Sequence, residues 1–257
     1  MTAQPIPLCR YLDWDSQFFN RRIARLTSTS LNSQDVDTAL AWCRSEHIDC
    51  LYYLAPADDF ASIHLAEQAG FHLVDIRMTF TLPENHRTTA PEHPQIRLVR
   101  PEDLPALKEI ARQAYRSTRF FNDPHFPHPT CEQLYMVWIE NSCQGYAQAV
   151  WVADAGNGPI GYTTCHLDGK RGQIGLVGIH PDHHQRGWGR KLVSTALQYF
   201  SEQHCHPVQV VTQGNNLSAQ KLYAACGFTI RSVECWYHRW FDPSPLGSLN
   251  ERISDTI

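Results

Sequence analysis

Gln185-Arg186-Gly187-Trp188-Gly189-Arg190-Lys191 gathers two glycines and three basic side chains between a strand-like apolar run, Ile174 to Ile179, and an amphipathic one, Leu192 to Phe200. Glycine lets the backbone approach a ligand closely, and the free N–H groups of a helix start can converge on an anion that the helix dipole also favours. Leu192, Val193, Ala196, Leu197 and Phe200 recur at helical spacing, so the expected helix begins just after the glycines. The dinucleotide fingerprint needs a third glycine where Leu192 stands, and a Walker loop needs Gly-Lys followed by Ser or Thr; neither fits. Glycine spacing alone leaves two readings equal: an anion cradle, or an ordinary strand-to-helix loop with solvated basic residues.

Other reactive side chains narrow the chemistry less. His180, His183 and His184 crowd beside the loop, but no carboxylate or cysteine joins them at a helical ligand spacing and Pro181 suggests a turn, so no metal is expected. The nine cysteines are scattered without a C-x-x-C pair, which argues for reduced, half-buried packing residues over a disulfide scaffold or a zinc site. Asn216 is placed to cap a helix through Ala225. Tyr223 stands within it, and Gly227 is placed to end it in the left-handed conformation.

These residues need a framework of alternating strands and helices. Before a Pro-rich, apolar-poor stretch at 82–94, the pattern predicts a strand at 22–27, a helix at 34–46, a strand at 50–54, a helix at 60–69 and a strand at 71–82. After it come a strand at 96–100, a helix opened by Pro101, a loop rich in Phe, Pro and His at 119–129, and a helix carrying Leu134, Val137, Trp138 and Ile139. Strands follow at 149–153, 160–167 and 173–179, the last two joined by an Asp168-Gly169 turn. A Val-rich strand at 207–212 precedes the Asn216 helix, and a strand at 228–240 follows it, with an interruption expected near 232–234. Glu67-Gln68-Ala69-Gly70-Phe71 echoes Ala224-Ala225-Cys226-Gly227-Phe228. Two ordinary helix–Gly–strand junctions and a degenerate duplicated half-domain both explain that echo.

The fold class is therefore α/β, with expected boundaries at 1–83 for an N-terminal unit, 84–95 for a linker, 96–240 for the main domain and 241–257 for a tail. At 257 residues the chain can build two modest cores. A net charge of −4 gives no overall basic field for nucleic acid, and no run approaches the roughly 20 apolar residues that span a bilayer. The expectation is a cytoplasmic protein without nucleic-acid or membrane partners, with a homodimer left open.

The order strand, Q-R-G-W-G-R loop, helix, strand, then Asn216, Tyr223 and Gly227-Phe228, resembles the GNAT superfamily of acyl-CoA N-acyltransferases over about residues 96–240. The resemblance implies a GNAT fold: a central mixed, twisted sheet flanked by helices, here with a smaller N-terminal α/β unit. Residues Gln185, Arg186, Gly187, Trp188, Gly189, Arg190 and Lys191 then hold the pyrophosphate of acetyl-CoA. Leu176, Val177, Gly178 and Ile179, on a strand that splays from its neighbour, face the pantetheine arm, with Asn216 nearby.

A narrower likeness runs through Leu12-Asp13-Trp14-Asp15-Ser16-Gln17-Phe18-Phe19, Trp138-Ile139-Glu140-Asn141 and Thr212-Gln213-Gly214-Asn215-Asn216, which are similar to the TDP-fucosamine acetyltransferases. It implies a nucleotide-linked amino sugar as acceptor, Tyr223 as general acid and Asp75 as acceptor of the amine proton. Plain alternatives stand beside each: Tyr223 as a core tyrosine, Asp75 as a solvated strand-edge carboxylate. Arg116 and Arg119 suit an acceptor diphosphate or surface ion pairs equally well. Cys226 has no evident base, so direct attack in a ternary complex is expected over an acetyl-cysteine. The same chemistry on a protein N-terminus or another small amine, or a non-catalytic acyl-CoA-binding module, are the competing expectations.

Overall fold

A computed structural model describes residues 7–84 and 93–241. The core of the expected linker (85–92) and almost all of the expected tail (242–257) lie outside the described residues. In chain order the elements are β1 Cys9–Tyr11, α1 Asp13–Phe19, β2 Ile23–Leu26, α2 Ser33–Ser45, β3 Cys50–Pro56, α3 Phe60–Gln68 and β4 His72–Thr81. Then come β5 Ile96–Leu98, α4 Leu104–Ala114, α5 Arg119–Asn122, α6 His128–Asn141, β6 Ala149–Asp154, β7 Pro159–Asp168 and β8 Arg171–Ile179. The last are α7 Trp188–Glu202, β9 Val208–Gln213, α8 Leu217–Ala225 and β10 Thr229–Trp240.

Contacts divide these residues into two compact units. The first comprises 7–77, 118–130 and 233–241, the second 78–84, 93–117 and 131–232. The division follows packing, so it differs from the boundaries expected along the chain: Phe120 and Phe126 are buried against Phe19, at ring distances of 5.2 and 4.4 Å, which ties 118–130 to the N-terminal residues. β4 and β10 each contribute residues to both units. β10 is continuous through 232–234, where an interruption was expected: the Val233 carbonyl accepts the Ala57 amide at 3.0 Å, and Glu234 through Trp240 pair in antiparallel register with Pro56 through Cys50.

In the first unit β2 pairs antiparallel with β1 and parallel with β3, and β3 pairs with β10. One face is closed by α2 and α3 through Val36, Ala39, Cys43 and Ala66 against Leu26, Leu51, Tyr53 and Tyr237. The β1–α1 pair at 9–19, which the periodicity did not predict, is too short for a pattern to register.

In the second unit the strands run β9-β8-β7-β6-β5. Val193, Ala196, Leu197 and Phe200 of α7 form the apolar stripe read from the sequence and bury against Cys165, Ile174, Val208 and Val210. Arg97 joins Asp103 at the start of α4 (2.7 Å) to Asp154 at the end of β6 (2.8 Å), fixing those element ends. All nine cysteines are free thiols, and seven are buried where half-burial was expected, Cys9 and Cys43 in the core of the first unit and Cys165, Cys205 and Cys226 in that of the second among them.

Candidate functional site

β8 and β9 pair in parallel only at Gly172–Val208, Gln173–Gln209 and Ile174–Val210. Beyond Ile174 the β8–β9 pairing ends, so Val177, Gly178 and Ile179 have a ladder only on their β7 side and Leu176 has none on either. A register shift between Thr163 and Cys165 marks the divergence, and the Thr164 hydroxyl accepts the Leu176 amide at 2.9 Å. This is the splay expected for these four residues.

The strand then enters the glycine loop. Gln185 and Gly187 take φ values of 60° and 79°, and Gly187 serves as the start of α7 without any side-chain cap. The first-turn amides of a 15-residue helix are thereby left without a side-chain acceptor, with the exposed Arg186 and Arg190 beside them. Trp188 departs from the role of a ligand side chain. Its ring is buried with Ile96, Ala153, Ile160 and Leu192, so only its backbone can meet an anion. Lys191 lies over that ring at 4.2 Å and donates to Gln95 at 3.2 Å. A Cβ on Gly189 would stand 3.1 Å from Leu222, so the glycine also permits the close approach of α7 to α8.

Asn216 caps α8, accepting the Ala219 amide at 3.1 Å, and Gly227 ends that helix with φ 89°. Between them Tyr223 is 4% exposed and packs against Phe80 and Phe228. Burial pushes its phenol well above its ordinary value, so it remains a protonated hydrogen-bond donor at neutral pH. Burial likewise raises the Cys226 thiol, which removes the thiolate an acetyl-cysteine route needs.

Two hydroxyls that the sequence reading missed lie in the same unit. The Tyr162 ring covers Gly178, where a Cβ would come within 2.9 Å, and the hydroxyls of Tyr162 and Tyr115 are buried close to each other. Only the cross-strand pairing of Tyr162 with Gly178 reveals this, and a single sequence carries no signal for it. A cavity lined by His93, Ile96, Trp151, Thr195 and Tyr199 contains none of these residues.

Asp75 belongs to the first unit and is buried, in contrast to a solvated strand edge. Its oxygens accept the amides of Ile76 (2.7 Å) and Arg119 (3.1 Å). Burial raises its pKa to about 6 against those bonds, the value of a base that is ionised yet reactive at neutral pH.

Arg116 and Arg119 take different partners in different units. Arg116, in the second unit, pairs with Glu132 at 2.6 Å. Arg119, in the first, stacks on Tyr52, Phe120 and Trp236 at 4.2–4.4 Å and donates to His238 Nε2 at 3.1 Å. His238 donates through Nδ1 to Asp123 at 2.6 Å, and Trp240 donates to the same carboxylate at 2.9 Å. Burial lowers His238 to about 4, so it is neutral. Burial alone would raise Asp123, but the bonds from His238, Trp240 and the His125 amide hold it well below the usual carboxylate range. Arg119 is thus anchored by a buried polar chain.

Among the described residues no group of three or more His, Cys, Asp or Glu side chains could hold a metal, and no helix is long and apolar enough to cross a membrane.

The acetyltransferase (GNAT) family pattern matches residues 104–228, the stretch that contains the splay, the glycine loop and Tyr223. Residues 104–228 are a GNAT acetyltransferase domain, and the chain is an acyltransferase. The dTDP-fucosamine acetyltransferase of Escherichia coli O6:H1 is 27% identical over 89% of this chain and 96% of its own. Spore coat polysaccharide biosynthesis protein SpsD of Bacillus subtilis is 22% identical over 88% of this chain and 81% of its own. A GCN5-related N-acetyltransferase from Sphaerobacter thermophilus superposes with a TM-score of 0.66 at 16% identity, covering 92% of this chain and 77% of that one, which bears out the GNAT fold.

Proposed function

We propose that this acetyltransferase transfers the acetyl group of acetyl-CoA to the amine of a nucleotide-linked amino sugar of the TDP-4-amino-4,6-dideoxygalactose type. The observation that carries this reading is the extent of the likeness to the E. coli dTDP-fucosamine enzyme. It takes in 89% of this chain, far beyond the 104–228 that define the acetyltransferase domain.

On this reading the uncapped start of α7 and the side chains of Gln185, Arg186 and Arg190 hold the pyrophosphate of CoA, with Gly187 and Gly189 admitting it. The unpaired backbone edge of Leu176 to Ile179 receives the pantetheine amides, and Asn216 fixes the helix beside it. The neutral amine attacks the thioester carbonyl, a C–N bond forms and the C–S bond breaks. Tyr223 hydrogen-bonds the sulfur and supplies the proton the thiolate takes up. Asp75, directly or through a water, accepts the proton the amine loses. The buried, protonated Cys226 favours this direct attack over a covalent acetyl-enzyme.

An acceptor panel with thiol release as readout tests the proposal. Turnover of TDP-4-amino-4,6-dideoxygalactose in preference to peptides and polyamines is expected. Turnover of peptide N-termini with none on TDP-amino sugars would overturn it, and CoA binding without thiol release from any acceptor would point to a binding module.

A further inference from the structure

Arg10 on β1 and Arg25 on β2 stand directly opposite each other in an antiparallel ladder. Cross-strand partners share a sheet face with their Cβ atoms about 5 Å apart, and like charges so placed destabilise the sheet. Natural sequences keep such local conflicts mainly where function requires them. Among the described residues neither arginine forms an ion pair, and Glu234, whose charge acts on Arg25, is itself paired with Arg77 at 3.1 Å.

The neighbouring side chains extend the conflict. Arg25 lies over the Trp236 ring at 5.0 Å, and Arg119 lies over that ring at 4.4 Å. Arg77 adds a third guanidinium close enough to act on Arg25, whose pKa is lowered by burial first and then by Arg119, Arg77 and Arg10. Three carboxylates act on this group. Glu234 is taken by Arg77 at 3.1 Å, Asp15 lies 3.9 Å from Arg119 with its own ionisation opposed by burial, and Asp75 accepts the Arg119 amide at 3.1 Å and feels its charge. Four guanidiniums against three carboxylates leave a surplus centred on Arg10 and Arg25, of which Arg10 is exposed and Arg25 half-buried.

We propose that Arg10 and Arg25, cross-strand partners on β1 and β2, together with the neighbouring Arg77, form a binding site in the first unit for a diphosphate, that of the nucleotide-linked acceptor. A multiply charged phosphate neutralises the surplus, and guanidinium forks match its oxygens in pairs. Only the identity of the ligand rests on the nucleotide-sugar reading; the anion site rests on the arginines. Arg119, held by His238 and stacked on Trp236, is left out of the direct contact, which falls to the other three.

The test is calorimetric titration of the full chain, saturated with CoA so that the α7 cradle is filled, with inorganic pyrophosphate and separately with TDP. Both are expected to bind, and Arg25→Gln and Arg10→Gln are each expected to weaken them at least about tenfold. In phosphate-free buffer of low ionic strength, Arg10→Gln is expected to leave Tm unchanged or raise it, because it removes a repulsion. No binding of either probe to the CoA-saturated wild type, unchanged affinity in the variants, or a lowered Tm for Arg10→Gln would each overturn the site. If pyrophosphate binding is lost in the variants while the wild type acetylates only peptides, the anion site stands and the nucleotide-sugar acceptor falls. If a TDP-amino sugar is acetylated with the same KM in Arg25→Gln, the acceptor reading stands and this site falls.

Discussion

The chain contains two helix–strand–helix–strand runs that match position by position at a constant spacing of 157 residues, with 47 facing 204, 66 facing 223 and 70 facing 227. α2 and α7 are each followed by a left-handed histidine, His47 at φ 51° and His204 at φ 53°. The Ile48 and Cys205 amides then turn back to Cys43 and Phe200 at 2.9 Å. β3 and β9 each pair in parallel with the strand before the helix. α3 and α8 are both nine residues long, with Asp59 and Asn216 capping the amides of Ser62 and Ala219. Both end at a glycine, φ 82° and 89°, followed by a phenylalanine that is 3% exposed.

The two runs differ where donor chemistry would sit. α7 starts at a glycine with no side-chain cap, whereas Asn32 and Asp35 close the start of α2 with a reciprocal capping box that fills its amides and adds a negative charge. Tyr223 on α8 is matched by Ala66 on α3. On the proposed reading the same local scaffold would admit an anion in one run and exclude it in the other, and a few side chains would decide which. The first unit keeps the scaffold but holds Asp75, Arg119 and the Arg10–Arg25 pair in place of a donor site.

The largest effect that sharpens this contrast is Tyr223→Phe, which should lower kcat by about 10²-fold or more with CoA affinity unchanged. Normal turnover would make Tyr223 a core residue like its counterpart Ala66. Asp75→Asn should cost about 10²-fold in kcat/KM and remove an acidic limb near pH 6 from its profile. Because the folded pKa of Asp75 is raised, its protonated form favours folding below the unfolded value, and that contribution is lost as pH rises through about 6. Asp75→Asn should therefore be more stable than wild type above pH 6 and equal to it near pH 4, as read by thermal melts. Gly178→Ala should cost about 1–3 kcal/mol, because the Tyr162 ring occupies the space of the new methyl. The smallest effects form a pair. Asn32→Ala and Gly187→Ala should each cost about 1 kcal/mol, the first by losing a cap and the second through its positive φ, but only the second should weaken CoA binding.

The sequence exposed what is local. The α7 stripe, the Asn216 cap and the Gly227 exit all lie within a few residues of the signals that specify them. The repeat showed only at its Gly-Phe junctions, although Val36 and Val193, Ala39 and Ala196, and Leu40 and Leu197 stand at the same spacing, because apolar helix positions tolerate so many substitutions that few identities survive. The features that escaped are set by pairing between distant strands. Arg10 against Arg25, Tyr162 over Gly178 and the bond from the Arg119 amide to Asp75 each join residues whose proximity no short-range pattern encodes. From its sequence neighbours Arg119 suited an acceptor diphosphate or a surface ion pair equally well, and only β10, supplying His238 and Trp236, shows which partners hold it within the first unit.

The claim that one run binds the donor and its counterpart does not is tested most directly by calorimetric titration of acetyl-CoA. One equivalent per chain is predicted, with affinity at least about tenfold weaker in an Arg186→Glu, Arg190→Glu variant and unchanged in Asn32→Ala. Two equivalents per chain, or an affinity that survives the reversal of charge at α7, would contradict it.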